Sequence, residues 1–150
     1  MFVGRKKELD ALKSRYTSNR KEFGVLYGRR RIGKSSILNE FLKGKNGLLF
    51  QAKQDNSYGN LKSFSYEVDH LLDLPDTFVF ASWQHAFKSI QEYAKNERFV
   101  LVIDEYPYIV SQDSSFSSVL QEFIDHASDN MMVILSGSDI GFLQREIQNH

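Results

Sequence analysis

Apolar positions along the chain follow two patterns. Short continuous apolar runs alternate with longer stretches whose apolar residues recur at helical spacing. Phe23–Tyr27 (FGVLY), Leu48–Ala52, Phe99–Ile103 (FVLVI) and Met131–Leu135 (MMVIL) read as strands. The FVLVI run has no polar alternation, the pattern of a strand buried on both faces. Gly4 to about Tyr16 predicts a helix with Leu9, Leu12 and Tyr16 on one face. A second helix follows the glycine-bounded loop Gly28–Gly33 and runs to about Lys43. It carries Ile37, Leu38, Phe41 and Leu42 inward, and Gly44 and Gly47 bracket its end. A third, from about Tyr58 to Leu72, aligns Leu61, Phe64, Val68, Leu71 and Leu72. Ser82 is an expected N-cap for a helix through Asn96, with Trp83, Phe87, Ile90 and Ala94 inward. Ser114 or Ser115 is expected to cap a helix through about Ala127. A last helix is read over roughly Ile140–Ile147, and Pro107 keeps the FVLVI strand short. Strands alternating with helices imply an α/β, three-layer fold with a mostly parallel sheet.

Composition adds bounds. The 150 residues make one domain by size, able to bury roughly 70% of the unfolded surface. Lys+Arg 19 against Asp+Glu 19 leaves no net charge. That argues against an all-basic nucleic-acid surface, though not against a local patch. With no cysteine, disulfide frameworks and thiolate metal sites are excluded. His70, His85, His126 and His150 show no ligand spacing, so no metal other than Mg²⁺ is expected. The N-terminus is charged within five residues and no apolar run approaches the ~20 residues of a membrane span, so a cytoplasmic location is expected.

The chemistry starts at Gly28–Ser35, GRRRIGKS, which fits the phosphate-loop pattern G-x-x-x-x-G-K-[ST]. Gly28 and Gly33 permit backbone angles that aim N–H groups at an anion, and the helix beginning near Gly33 adds its positive end. Lys34 is placed to reach the β- and γ-phosphates of ATP or ADP. The Ser35 hydroxyl is a hard oxygen ligand for Mg²⁺. Ile32 and Ser36 complete the nucleotide-binding stretch. Arg29, Arg30 and Arg31 fill the variable positions. Solvation or pairing with carboxylates accounts for them, and contact with phosphate or a charged partner is the sharper alternative.

The second element is Asp104-Glu105, at the C-terminal end of FVLVI. Ligands of open parallel sheets bind at that edge. Successive strand side chains face opposite ways, but at a strand end both carboxylates can lean toward one site. Asp104 is expected to hold Mg²⁺ and Glu105 to orient or deprotonate the attacking water. Tyr106 and Tyr108 are read as packing residues, and Trp83, Phe87 and Tyr93 as core.

Together with Ser136-Gly137-Ser138 after the fourth strand, these residues resemble the additional-strand P-loop ATPases. The N-terminal FVGRKKEL (Phe2–Leu9) is similar to the hhGRxxEL box of AAA+-related archaeal-type and STAND ATPases. GRRRIGKS, IDEYPYI and ILSGS resemble most the archaeal-type ATPase family. The resemblance implies that Phe2, Val3, Gly4 and Arg5 line the adenine pocket and that Glu8 supports the turn. It implies that Ser136 is the sensor 1 residue near the γ-phosphate and that Arg145 sits where some relatives place an arginine finger. It also puts Gln51 or Gln54 where relatives restrain the catalytic glutamate. The family's strand order, 5-1-4-3-2, has a fifth strand, a lid and usually a further domain. The chain is therefore expected to be the incomplete core of a longer protein, cut after its fourth strand. Its open sheet edge at Phe23–Tyr27 invites self-association, and an ATPase-type oligomer is the other expected assembly. An Mg-dependent ATPase is the leading expectation. A nucleotide-dependent switch with little turnover and a nucleic-acid-handling module are the alternatives.

Overall fold

The computed structural model describes residues 6–27, 33–75 and 78–137. In chain order the elements are α1 (Lys6–Tyr16), β1 (Glu22–Tyr27), α2 (Lys34–Leu42), β2 (Gly47–Gln51) and α3 (Ser57–Leu72). They continue with α4 (Trp83–Tyr93), β3 (Phe99–Asp104), α5 (Pro107–Val110), α6 (Phe116–His126) and β4 (Met131–Gly137). The helix expected over Ile140–Ile147 lies outside the described residues.

Among the described residues, four parallel strands form one sheet in the order β1-β4-β3-β2. This is the order expected from the family, with β1 at an edge beside β4. Every residue of β3 and β4 is buried. Alternate side chains of these strands feed two cores. Val100, Val102, Met132 and Ile134 meet Leu12, Ile37, Leu38 and Phe41 of α1 and α2. Leu101, Ile103, Val133 and Leu135 meet the aromatic layer of α3, α4 and α6, including Phe64, Trp83, Phe87 and Phe116. Phe87 stacks on Phe123 with ring centroids 4.7 Å apart, and Trp83 meets Phe116 edge-on at 4.7 Å. Burial on both faces is what allows an unbroken apolar run to be a strand.

Local chemistry explains the helix boundaries. The Ser82 hydroxyl caps α4 by accepting from His85 N, as expected. The cap of α6 differs from expectation. Ser115 is itself helical and makes no side-chain cap, while the Asp113 carboxylate accepts from both the backbone N–H and the hydroxyl of Ser115. Aspartate at such a turn satisfies donors that a serine inside the helix cannot reach. Pro107 does more than end β3. It starts the short helix α5, where its missing N–H costs nothing.

Arg98, which the sequence pattern does not mark, ties α1 to the sheet. Its guanidinium donates to the carbonyls of Arg15, Tyr16, Arg20 and Asp129 at 2.6–3.1 Å and lies over the Tyr16 ring at 5.7 Å. A planar cation at the C-terminal end of α1 also complements the helix dipole.

Two measurements test these contacts. Arg98→Met is expected to lower the unfolding free energy by about 2 kcal/mol in urea titration, with Arg98→Lys recovering less than half because an ammonium lacks the fork. Hydrogen bonds from Ser115 first, and also from Ser57, hold the Asp113 carboxyl below the usual carboxylate range. A depressed folded pKa contributes stability above the unfolded value and loses it as pH falls through the folded one. Asp113→Asn is therefore expected to flatten the loss of stability below about pH 4 in acid titrations.

Candidate functional site

The C-terminal ends of β1, β4 and β3 lie side by side, with Leu26 opposite Ser136 and Ile103 opposite Leu135. Each strand leads into a part of the site. From β1 the chain passes through 28–32, outside the described residues, to Gly33 and α2. Gly33 has φ 85° and ψ 17°, a left-handed conformation that glycine adopts without a Cβ clash. It offers no capping side chain, and the first turn of α2 holds no acidic residue. The opening N–H groups of the helix have no acceptor within it, so this end favours an anion.

Lys34, the first residue of α2, is only 2% exposed. Its Nζ lies 2.8 Å from Asp104 Oδ1 and 2.9 Å from Glu105 Oε1. Both carboxylates are buried, at 2% and 5% exposure. Ser35 and Ser36, next along the helix, are exposed.

Two successive residues of a strand normally face opposite sides of the sheet. Here both carboxylates meet one ammonium because Glu105 leaves the strand conformation: its φ is +56°. A side chain other than glycine in the left-handed region costs on the order of 1 kcal/mol and is concentrated at functional sites. The turn is pinned from several sides. Asp104 Oδ1 accepts from Glu105 N at 3.0 Å and from the Ser136 hydroxyl at 2.7 Å. Tyr106 N donates to Ser136 O at 3.1 Å, and Ala52 N to Asp104 O at 2.9 Å. The buried Tyr106 hydroxyl shares a 2.6 Å hydrogen bond with Ser117, in line with a packing role.

Lys34, Asp104, Glu105 and Ser136, singled out at three separate places in the sequence, thus form one buried cluster. Gln51 ends β2 opposite Asp104 in register and is exposed, as is Gln54. Glu8 lies half-buried on α1. Phe2, Val3, Gly4, Arg5, Gly28, Arg29, Arg30, Arg31, Ile32 and Arg145 lie outside the described residues. One supporting residue escaped the sequence reading. Buried Asn60 accepts from Lys53 N at 2.9 Å and donates to Lys53 O at 3.0 Å, bracing the loop after β2. The available signal was an asparagine beside Leu61, Phe64 and Val68 on the buried face of α3.

Removing the cation from two buried carboxylates leaves charge uncompensated. Lys34→Met is expected to lower stability by roughly 3–5 kcal/mol without nucleotide. Adding Asp104→Asn and Glu105→Gln to Lys34→Met should restore most of it. A denaturation midpoint unmoved by Lys34→Met alone contradicts the cluster.

A family described as the ATPase domain predominantly from Archaea matches residues 2–150. An uncharacterized protein of Methanocaldococcus jannaschii is 25% identical over 152 residues, covering 100% of this chain and 32% of that protein. An uncharacterized ATP-binding protein of the same archaeon is 44% identical over 45 residues, 30% of this chain and 76% of that protein. Among solved structures, the Aeropyrum pernix ORC1 protein in complex with DNA superposes with a TM-score of 0.66 at 14% identity, covering 93% of this chain and 40% of that one. Cdc6p from Pyrobaculum aerophilum gives 0.64 at 14% identity, covering 96% and 41%. These structures share the fold, and the chain spans about a third of the first relative's length. Since the match runs from Phe2 to the last residue and takes in both halves of the buried cluster, the chain belongs to the family of ATPase domains found predominantly in Archaea.

Proposed function

We propose that the chain is the N-terminal part of an ATPase core that binds ATP with Mg²⁺ and hydrolyses it, as one section of a longer protein. The observation that carries this reading is the buried cluster, in which the ammonium of the loop lysine lies within 2.9 Å of both strand-end carboxylates. A lysine at a helix start with an uncapped positive end is the chemistry of a phosphate site. Lys34 would leave the carboxylates for the β- and γ-phosphates. Glu105, released from the ammonium, would accept a proton from the attacking water. Phe2–Arg5 would receive the adenine, Gly28–Ser36 the phosphates, and Ser136 would stand beside the reacting end.

The residues fit a magnesium ion. Asp104 Oδ1 is taken by three donors, and Oδ2 has no hydrogen-bond partner among the described residues. Together with the exposed Ser35 hydroxyl it gives two hard oxygens. Mg²⁺ commonly takes only one or two protein ligands and completes its shell with phosphate and water. When bound, the ion would neutralise charge developing on the phosphates.

A regulatory switch is the second reading. It is favoured by the engagement of both carboxylates by Lys34, an arrangement that nucleotide has to exchange for another. Turnover separates the two. Glu105→Gln is expected to keep ATP binding within a few-fold and to lower kcat at least ~100-fold, measured as phosphate release by the full-length protein. Turnover equal to wild type in that variant removes Glu105 from the reaction. Negligible wild-type turnover with tight ADP retention selects the switch.

A further inference from the structure

Ser136 lies near the end of β4, 0% exposed, between the strand that leads into the phosphate loop and the strand that carries the acidic pair. It holds the acidic turn twice. Its hydroxyl donates to Asp104 Oδ1 at 2.7 Å, and its carbonyl accepts from Tyr106 N at 3.1 Å. Asp104 and Tyr106 flank Glu105, so one residue of β4 brackets the left-handed turn.

Three donors converge on Asp104 Oδ1: the Ser136 hydroxyl, Glu105 N and Lys34 Nζ. They differ in permanence. Lys34 sits on a flexible four-carbon stem and, in the reading above, departs for phosphate. Glu105 N belongs to the turn that Asp104 itself anchors. The Ser136 hydroxyl stands on a separate, fully buried strand and does not depend on the ligand. A carboxylate turns readily about its last torsion unless its oxygens are held. Fixing one oxygen fixes the direction of the other.

A hydroxyl has one proton to donate. Given to Asp104, it is not available to a phosphate oxygen. We infer that Ser136 is a positioning residue for Asp104: by holding Oδ1 it keeps Oδ2 as the oxygen available to a cation once Lys34 has moved. The inference rests on the proposed nucleotide site, and it assigns Ser136 to the carboxylate rather than to the γ-phosphate.

The test is calorimetric, on the full-length protein, with ADP and a non-hydrolysable ATP analogue, each in Mg²⁺ and in EDTA. Ser136→Ala is expected to remove about tenfold of the Mg²⁺-dependent gain in affinity, the scale on which groups that orient a metal ligand act. The loss should be the same for di- and triphosphate, with affinity in EDTA within about twofold of wild type. Ser136→Thr, which keeps the hydroxyl, should restore the gain. In an Asp104→Asn background, Ser136→Ala should add nothing further. If the alanine variant does not fold, the near-isosteric Ser136→Cys, a weaker donor, is expected to show a partial loss of the same kind. A loss confined to the triphosphate overturns the inference in favour of a phosphate contact. Equal losses in Mg²⁺ and EDTA, or additivity with Asp104→Asn, also overturn it. Wild type that binds neither nucleotide in either buffer overturns the site reading itself, whereas binding by wild type with any of the contrary Ser136 results overturns only this assignment.

Discussion

An ammonium shared between two buried carboxylates is the constraint around which the ligand edge is organised. Ionised groups this far from water persist only when each finds a partner of opposite sign with good geometry. Lys34 supplies that partner to Asp104 and Glu105 together. The requirement reaches outward. α2 must start at the sheet edge for the ammonium to arrive, so Gly33 turns left-handed. The strand must break its alternation for the second carboxylate to arrive, so Glu105 does the same. A strained residue and a glycine turn thus serve one electrostatic demand, set at the end of strands that apolar packing buries on both faces.

The two cores divide the labour around that cluster. The α1–α2 side is small and aliphatic, apart from Phe41 and the half-buried Tyr16, whose rings meet edge-on at 6.0 Å. The opposite side is large and aromatic, and α5 and Tyr106 anchor the acidic turn into it. β1 touches both, with Phe23 and Val25 on the aromatic side and Leu26 on the other. At the sheet's edge it is half-buried, and a Cβ placed on Gly24 would meet nothing within 4 Å. A space of about 270 Å³ lies there, lined by Leu12, Val25, Met132 and Ile134 among others. The sheet is thus most densely packed at its centre and least at the strand that feeds the phosphate loop.

Most of the fold was legible in the sequence because its strands are buried on both faces. FVLVI and MMVIL admit no polar residue, and helices with apolar residues three and four apart separate them. The phosphate loop and the acidic pair were legible for a different reason: their residue types are demanded by chemistry at fixed spacing. What stayed hidden depends on single hydrogen bonds between distant positions. Arg98 looks like any charged residue ahead of a strand, yet it binds four carbonyls. Asp113 holds the turn ahead of α6 by bonding Ser115, where two serines were the more obvious capping choices by residue type. The way Asp104 and Glu105 come to face one lysine could be anticipated only as a possibility, because a positive φ at a glutamate leaves no trace in composition or periodicity.

The Arg98 clamp has a mechanical side. It fastens the C-terminal end of α1 to the chain entering β3 and to the turn before β4, at the foot of the sheet, opposite the edge that carries the acidic pair. A rod bolted at one end moves most at the other. Rocking of α1 about that anchor would displace its first turn, at Lys6, more than its last, at Arg15.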